Sequence, residues 1–451
     1  MNSADSSSTV AAGRSETWKW YVCILLLMAT VVNYMDRLTV NTLAVEIQHE
    51  FHLTDEQYGK VEQGFGYAFA AGSILWGILV DRRGVYWIYP VVLVGWSAMG
   101  FLTGLCHSYN ELWGLRVLLG FFEAGHFPCG LKTVQLLMAP RDRAMGNSLL
   151  QSGTAVGAIL APMVIKALLT DDPGGWRLPF LVIGVGGCAW VVFWLSSVRP
   201  RDLRAVRAAH TIVHAQPSIA AGKSDQQFGD SFWRVVFSQR FLGLALMVIC
   251  INLNWHLFRV WLPKFLRESR GYTRDDMLNF LSFYYLAADL GVLAAGAAST
   301  WLARHGQSVF GSRMWVFGFC AVLTTMTTVA AFLPAGPLLL ASLLLVAFGG
   351  LGSFATYYSL TQDLSRPHQG KVSGTLATCT WVVTAQFHQL FGRYLDQTHN
   401  YDLVIATMGW LPMIALVAVL ILWRNRPAES PAEGPTELLP QPAEPLHAEN
   451  G

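Results

Sequence analysis

The chain contains two apolar stretches that are interrupted by charges, TVVNYMDRLTV (Thr30–Val40) and GLRVLLGFFEAGHFPCG (Gly114–Gly130). The interrupting charges are Asp36, Arg37, Arg116 and Glu123. A charged side chain at the centre of a bilayer costs about 3 kcal/mol on insertion scales, so four unpaired charges would cost on the order of 10 kcal/mol. Such charges persist where they pair, face water or bind a ligand. These residues are therefore the first candidates for a functional site.

The composition is that of an integral membrane protein. Of the 451 residues, 53% are hydrophobic and 13% are charged, whereas soluble domains carry about 25% charged residues. Apolar runs of about 20 residues, the length that a helix needs to cross the hydrocarbon, recur along the chain. The net charge is only +2, and the basic residues lie in loops beside apolar runs. We therefore exclude a nucleic-acid partner.

The sequence lacks the motifs of enzymes and of cofactor or metal sites. Its seven cysteines lie singly in or beside apolar runs, without the spacing of a zinc site. It has no HExxH motif, no Ser/His/Asp pattern and no GxxxxGK[ST] phosphate loop. We therefore predict that the protein is not an enzyme and holds no cofactor or metal. Because the phosphate loop of ATP-binding proteins is absent, we expect an ion gradient to drive any work that the protein does.

Hydropathy predicts an all-α membrane protein with twelve transmembrane helices. Their predicted ranges are 18–42, 58–80, 86–106, 111–136, 144–168, 177–197, 239–266, 277–303, 312–333, 337–362, 370–395 and 401–424. The longest polar stretch, 199–238, is a predicted cytoplasmic linker between two six-helix halves, 18–198 and 239–424. Tails remain at 1–17 and 425–451; the second is rich in proline and glutamate, which predicts disorder. Two similar halves are typical of transporters that open alternately around a central site.

Lysine and arginine are unevenly distributed between the two sides of the predicted bundle. If the N-terminus is cytoplasmic, 19 of these residues lie in inner segments and 8 in outer segments. The positive-inside rule therefore places both termini in the cytoplasm, and the even number of spans agrees. We predict an integral protein of a bacterial inner membrane that works as a monomer in the lipid bilayer.

A short motif, GILVDRRG (Gly77–Gly84), follows the second predicted helix. Its acid, Asp81, can pair with a neighbouring helix terminus when the inner side closes. The predicted conformational latch consists of Gly77, Asp81, Arg82 and Gly84. The motif resembles the G-x-L-a-D-r-x-G signature of the major facilitator superfamily. At the corresponding place in the second half, Gly296–Gly306, Thr300 stands where an acid is usual, which weakens the case for a symmetric second latch.

Four separated stretches give a more selective resemblance. They are NYMDR (Asn33–Arg37), RVLLGFFEAGHFPCGLK (Arg116–Lys132), RDRAMGNSLLQSGTAVGAILAP (Arg141–Pro162) and WLPKFLRESRG (Trp261–Gly271). They resemble the anion:cation symporter branch of that superfamily, which includes bacterial hexuronate, galactonate and glucarate carriers and the animal sialin and vesicular glutamate carriers. The resemblance covers about residues 18–423. It implies the major facilitator fold and a small organic anion as substrate.

Helical spacing gives the four charges different surroundings. Arg116 and Glu123 are seven residues apart and share one stripe of their helix, whereas the adjacent Asp36 and Arg37 point about 100° apart.

A guanidinium group suits a substrate carboxylate, so we predict that Arg37 binds the anion. A carboxyl group shielded from water can exchange protons near neutral pH, so Asp36 and Glu123 are predicted to couple protons, with Arg116 tuning them. The resemblance implies the same roles. The alternative is a set of structural ion pairs that lock helices one and four.

Other polar residues of the predicted helices are secondary candidates for substrate binding. They are Tyr67, Gln151, Asn254, Tyr357, Ser373, Thr378 and Trp381. In the resembling family an aromatic hydroxyl at the position of Tyr67 faces the substrate. On span eleven Thr380 and Trp381 replace the family's usual asparagine and aromatic pair. Each candidate could instead hold helices together. Arg259 and Asp289 also fall inside predicted spans, as a cavity gate or as a helix pair.

These observations predict a secondary active transporter that takes up a small organic anion with protons by alternating access. The expected substrate is a sugar acid, either a hexuronate such as glucuronate or galacturonate, or an aldonate such as galactonate. Two alternatives stay open. One is a transporter of another carboxylate, such as sialic acid, an aldarate or an aromatic acid. The other is a membrane sensor that binds such an anion without transporting it.

Overall fold

The computed structural model describes residues 15–138, 142–199, 232–364 and 369–423. These residues are almost entirely helical and include no strand, and ten helices are long and apolar enough to cross a membrane. The prediction of an all-α membrane protein is therefore confirmed. The predicted tails at 1–17 and 425–451 and the predicted linker at 199–238 lie mostly or wholly outside the described residues.

The first half of the bundle consists of eight helices in the described ranges. They are α1 (Glu16–Thr42), α2 (Ala44–Phe51), α3 (Asp55–Arg83), α4 (Val85–Thr103), α5 (Tyr109–Glu123), α6 (His126–Leu137), α7 (Arg143–Leu168) and α8 (Arg177–Ser197). The predicted fourth span is therefore split between α5 and α6. At the break, a Cβ atom on Gly125 would lie 2.7 Å from the Val92 side chain of α4, so only glycine permits this close approach.

The second half consists of nine helices in the described ranges. They are α9 (Phe232–Val236), α10 (Gln239–Lys264), α11 (Arg274–Arg304), α12 (Val309–Thr324), α13 (Met326–Phe332), α14 (Pro337–Leu364), α15 (Gln369–Thr398), α16 (Asp402–Met408) and α17 (Leu411–Leu422). The pairs α12–α13 and α16–α17 each form one span. The α5–α6 pair and α15 occupy the two remaining predicted spans and are not among the ten helices that are long and apolar enough to cross a membrane.

The start of α3 is fixed by a capping box. The Thr54 hydroxyl accepts a hydrogen bond from the Gln57 amide at 3.2 Å, and the Gln57 side chain accepts one from the Thr54 amide at 2.9 Å. Two amide groups that the helix leaves unpaired are thereby satisfied. The same helix ends at Gly84, whose φ of +82° lies in the region that favours glycine. This turn leads directly into α4.

The two halves meet along α3 and α15, whose backbones touch. A Cβ atom on Gly59 would lie 2.3 Å from the carbonyl oxygen of His388, and one on Gly392 would lie 2.1 Å from the carbonyl oxygen of Asp55. Any side chain at these glycines would clash with backbone. Small residues let helices approach closely in membranes, where packing takes over much of the role of the hydrophobic effect.

Ion pairs between the halves surround the Asp55 end of α3, which is called the closed end. Three salt bridges join the first half to α10, to the π-helical turn Phe265–Ser269 that follows α10, and to α15. They pair Asp55 with Lys264 at 2.5 Å, Glu46 with Arg267 at 2.6 Å, and Glu56 with Arg393 at 2.9 Å. The Asp396 carboxylate of α15 also accepts the amides of Asp55 and Glu56, at 2.8 and 2.9 Å. This carboxylate caps the N-terminus of α3 from the other half, where negative charge is favoured.

The opposite end of the bundle carries Asp81 and is called the open end. Two ion pairs at this end each lie within one half: Asp81 Oδ1 lies 2.9 Å from Lys132 Nζ on α6, and Arg313 pairs with Asp363 in the second half. A Cβ atom on Gly77 of α3 would have no neighbour within 4 Å. The role of the Asp81 motif in closure stays a prediction.

We predict that Lys264→Gln weakens the closed end. The Lys264 ammonium group is almost fully buried and bonds both Asp55 and Gln48 of the first half. Spin labels at Asp172→Cys and Gln397→Cys, in a background without the native cysteines, should then report an added population of longer distances. Arg313→Gln, which breaks a pair inside one half, is the matched control and should leave the distances unchanged. Unchanged distances in Lys264→Gln would remove this lysine from closure.

Candidate functional site

An ion pair joins α1 to α5 in the interior of the first half. Arg37 Nε donates to Glu123 Oε1 at 2.9 Å, and the two residues are only 4% and 1% exposed. Arg37 Nη2 and Glu123 Oε2 have no hydrogen-bond partner in the described protein. Buried polar atoms are nearly always hydrogen-bonded. These two unbonded atoms are therefore suited to hold a ligand or a proton. The predicted anion-binding residue and one predicted coupling acid are thus in direct contact.

Four aromatic rings surround the Arg37 guanidinium and are called the aromatic box: Tyr34, Phe65, Phe69 and Trp381. The Arg37 Cζ atom lies between 5.1 and 5.8 Å from their centroids. Three of the rings belong to the first half, whereas Trp381 comes from α15 and lies 4.4 Å from Phe69. Ring faces attract a cation without accepting its N–H groups in ordinary hydrogen bonds. The box therefore holds the guanidinium and leaves its donors available.

Arg116 has its partner on α3. Its Nε and Nη2 both donate to Glu62 Oε1, at 3.2 and 2.9 Å, and Nη2 also donates to the Arg37 carbonyl at 3.3 Å. The seven-residue spacing separates Arg116 from Glu123 by about 10.5 Å along the helix axis, so each of them pairs with another helix. The expected ion pairs are therefore present, but they bind α5 to α1 and to α3, and Arg116 bonds no predicted coupling acid.

Asp36 points away from this network. It is 2% exposed, and neither of its carboxylate oxygens has a hydrogen-bond partner in the described protein. A Cβ atom on Gly100 of α4 would lie 2.6 Å from Asp36 Oδ1, so the carboxyl group occupies the space that this glycine leaves. The adjacent residues Asp36 and Arg37 thus face different helices, as their spacing predicts.

Five buried polar side chains of the second half have an atom without a hydrogen-bond partner. They are Asn254 (Oδ1), His256 (Nδ1), Arg259 (Nε), Thr380 (Oγ1) and Thr384 (Oγ1). The His256 ring lies 4.8 Å from Trp381, which places part of this group beside the aromatic box. A set of unused donors and acceptors suits a ligand that carries several hydroxyl groups. Asn254 was predicted to bind substrate, and His256 and Arg259 lie two and five residues further along α10.

The other predicted substrate-binding residues are partly or fully exposed. Tyr67 donates its hydroxyl to Gln386 Oε1 at 2.7 Å and so bonds across the halves. Gln151 on α7 is exposed, and Tyr357 on α14 is half-buried. On α15 the side chains of Ser373 and Thr378 are half-buried. In the described protein none of these residues has a hydrogen bond to the four charges. Their part in binding stays a prediction.

Glu62 is the site residue that the sequence reading missed. It lies inside the second predicted helix, and the cost of placing a charge in lipid applies to it as to the other four. The spacing of Arg116 drew attention to Glu123 instead, because only residues of one helix can be related by spacing. A count of every acid and arginine inside the predicted spans would have found Glu62.

We predict that Glu62→Ala destabilises the protein more than Glu56→Ala. Glu62 is 2% exposed, so its loss leaves the buried Arg116 without an acid and should cost about 3–5 kcal/mol. The Arg393 partner of Glu56 is half exposed, and such a pair contributes about 1 kcal/mol or less. Thermal unfolding in detergent should rank the variants in this order, and Glu62→Gln with Arg116→Gln should recover part of the loss. Equal losses in both alanine variants would contradict the argument from burial.

Comparisons with known proteins agree with this architecture. The family profile of the Major Facilitator Superfamily matches residues 26–387. The chain is 25% identical to the D-galactonate transporter of Escherichia coli over 423 residues, which is 92% of this chain and 97% of that protein. It is 24% identical to the hexuronate transporter of Escherichia coli over 438 residues, 91% of this chain and 95% of that protein.

A solved structure shares the fold. A bacterial homologue of the human lysosomal transporter Spinster, in an inward-facing and unoccupied conformation, superimposes with a TM-score of 0.70 at 17% identity. The match covers 91% of this chain and 95% of that one. The resemblance predicted from four sequence stretches is thus confirmed, and the prediction that the chain is not an enzyme is confirmed with it. The chain belongs to the major facilitator superfamily, as an integral membrane transporter related to carriers of sugar acids.

Proposed function

We propose that the protein carries a sugar acid across the membrane together with protons, by opening alternately to the two sides. The Arg37–Glu123 pair carries this proposal. Arg37 uses its Nε for the acid and keeps Nη2 unbonded, within an aromatic box that the second half completes. A buried cation with a free donor between two movable halves supports a role in binding an anion during transport.

Arg37 would bind the carboxylate of the substrate. Its guanidinium stays ionised and offers donors in a plane that matches a carboxylate. The surrounding rings keep water away, and a charge-assisted hydrogen bond is stronger in such a place than in water. Hydroxyl groups of the sugar would bond the unused polar atoms of Asn254 and His256, with Tyr67 and Gln386 at the edge of the site.

Protonation of Glu123 would couple this binding to the proton gradient. While it is ionised, Glu123 competes with the substrate for Arg37, and once it holds a proton the guanidinium is released to the anion. Asp36 has no donor at either oxygen, and a buried carboxyl group without a partner is least costly in its neutral form. Both acids would take protons from the outer solution as the anion binds, and lose them to the inner solution after the halves rock.

The open end would face the cytoplasm, since it carries the excess of basic residues. The structure then corresponds to the state that releases substrate inward. Opening outward requires the salt bridges of the closed end to break, including Lys264 with Asp55. In that state Asp81 would exchange Lys132 for a partner on the other half. The protein would do this as a monomer in a bacterial inner membrane, without a cofactor.

The proposed substrate class is that of hexuronates, aldonates and aldarates. These compounds share a carboxylate and a chain of hydroxyl groups, which is what Arg37 and its neighbours can bind. The names of the two sugar-acid relatives support the same class. Accumulation of such a compound in proteoliposomes under an imposed pH gradient is the direct test, because a sensor would bind the compound without accumulating it.

We predict that Arg37→Gln lowers the affinity for galactonate and glucuronate by about 10- to 100-fold, since a hydrogen bond to a charged group is worth roughly 1.5–3 kcal/mol. Isothermal titration calorimetry on purified protein measures the affinity. Arg304→Gln, at an exposed position of the open end, is the control and should bind as the native protein does. Unchanged affinity in Arg37→Gln would remove this residue from the site.

We predict that Glu123→Gln separates exchange from accumulation. The glutamine cannot take up a proton, so pH-driven accumulation in proteoliposomes should be lost while counterflow exchange continues. The affinity for the anion should fall with rising pH in the native protein and fall less steeply in the variant, because competition by ionised Glu123 is gone and only Asp36 still links binding to a proton. Replacing Na⁺ by choline should change neither protein. Intact accumulation, or a strict requirement for sodium, would overturn the proton assignment.

A further inference from the structure

Arg259 is a buried arginine that the mechanism above does not use. It lies within α10 and is 3% exposed. No carboxylate of the described residues lies within ion-pair distance of its guanidinium, and its Nε has no hydrogen-bond partner. Charged residues are almost never fully buried in proteins unless they are paired. The structure therefore contains a cation whose counter-charge is missing from the described protein.

The neighbours of Arg259 place it between the halves. The charged groups with which it interacts electrostatically include Arg37, Glu62 and Glu123 of the first half, with the hydroxyls of Tyr34 and Tyr285 nearby. Glu62 is already bonded by two nitrogen atoms of Arg116. Glu123 is bonded by Arg37. Both nearby acids are therefore already paired, and Arg259 has no acid of its own.

The helix that carries Arg259 also contacts the aromatic box. His256 lies three residues before Arg259, on the same face of α10, and its ring is 4.8 Å from Trp381. The Trp381 ring is in turn 5.8 Å from the Arg37 Cζ atom. Arg37 and Arg259 thus approach one ligand site from different halves, with His256 and Trp381 beside them.

The charges of the site favour a ligand with two negative groups. In the proton-loaded state proposed above, Asp36 and Glu123 are neutral. Three arginines and the single carboxylate of Glu62 then remain, which leaves two positive charges in excess. A monoanion would neutralise one of them, and a dianion would neutralise both. Two like charges close together in a low-dielectric interior repel strongly, so an anion between them is stabilising.

We propose that Arg259 binds a second anionic group of the substrate and that this transporter selects sugar dicarboxylates of the aldarate type. Arg37 would hold one carboxylate and Arg259 the other, with the hydroxyl chain between them. This inference rests on the proposed function, since it assumes that a sugar acid occupies the site. It narrows that function to one class of sugar acid. The residue that selects this class, Arg259, belongs to the second half.

The test compares two ligands that differ in one group. D-Galactonate and D-galactarate share the same hydroxyl chain, and galactarate has a carboxylate where galactonate has a terminal alcohol. Titration calorimetry on purified native protein should show galactarate binding at least about tenfold more tightly, as a second charge-assisted contact implies. Arg259→Gln should lower the affinity for galactarate by about 10- to 100-fold and change that for galactonate by less than about threefold. Arg259→Lys, which keeps the charge, should still prefer galactarate.

The outcomes separate this inference from the proposed function. Loss of both ligands in Arg37→Gln with no selective effect of Arg259→Gln would leave the proposed function standing and overturn the inference. Equal affinities of the native protein for the two ligands would also overturn it. If native protein binds neither of these ligands and does not bind glucuronate, both proposals are wrong. Dissociation constants do not depend on the folded fraction, so a partly unfolded variant still gives a valid ratio, and Arg304→Gln serves as the control.

Discussion

A charge inside the membrane must be compensated within the protein, and this constraint organises the first half. Arg37 and Glu123 join α1 to α5, Arg116 and Glu62 join α5 to α3, and Arg116 also bonds the Arg37 carbonyl. Three helices are thereby tied together through two ion pairs. Each pair leaves at least one guanidinium nitrogen or carboxylate oxygen unbonded. The residues that hold the helices can therefore also bind an anion or a proton, so the structural and functional interpretations of these charges are compatible.

The same charges are linked to the closed end through α3. This helix carries Glu56 in the salt bridges between the halves, Glu62 in the buried pair, Tyr67 in a bond across to α15, and Asp81 at the open end. The backbone contact at Gly59 leaves no room for α3 and α15 to slide past one another without parting. A change of ion-pair partner at Glu62 would therefore act on α3, a single helix that reaches from the closed end to the open end. Such an element, with two discrete arrangements, is what coupling between a site and a distant contact requires.

The sequence predicts the helices well and the pairings poorly, for a physical reason. Hydropathy marks each apolar run, so the predicted ranges 177–197 and 337–362 agree closely with the observed helices Arg177–Ser197 and Pro337–Leu364. Spacing also shows that Asp36 and Arg37 diverge. It cannot show which neighbouring helix receives a side chain, because that depends on packing between helices far apart in sequence. The partnership of Arg116 with Glu62 and the placement of Trp381 over Arg37 are of this kind.

The two halves contribute different chemistry to the space between them. The buried carboxyl groups that are proposed to bind protons come from the first half, whereas α10 and α15 supply Arg259, neutral polar groups and Trp381. Arginine stays charged at any physiological pH, so Arg259 can respond to the charge of the ligand but not to the proton gradient. A ligand shifts a conformational equilibrium only by its difference in affinity for the two states. A dianion that reaches from Arg37 to Arg259 binds best when the halves are drawn together around it. A monoanion contacts the second half only through its hydroxyl groups and gains a smaller difference. This asymmetry would give selectivity to the movement of the halves as well as to the binding step.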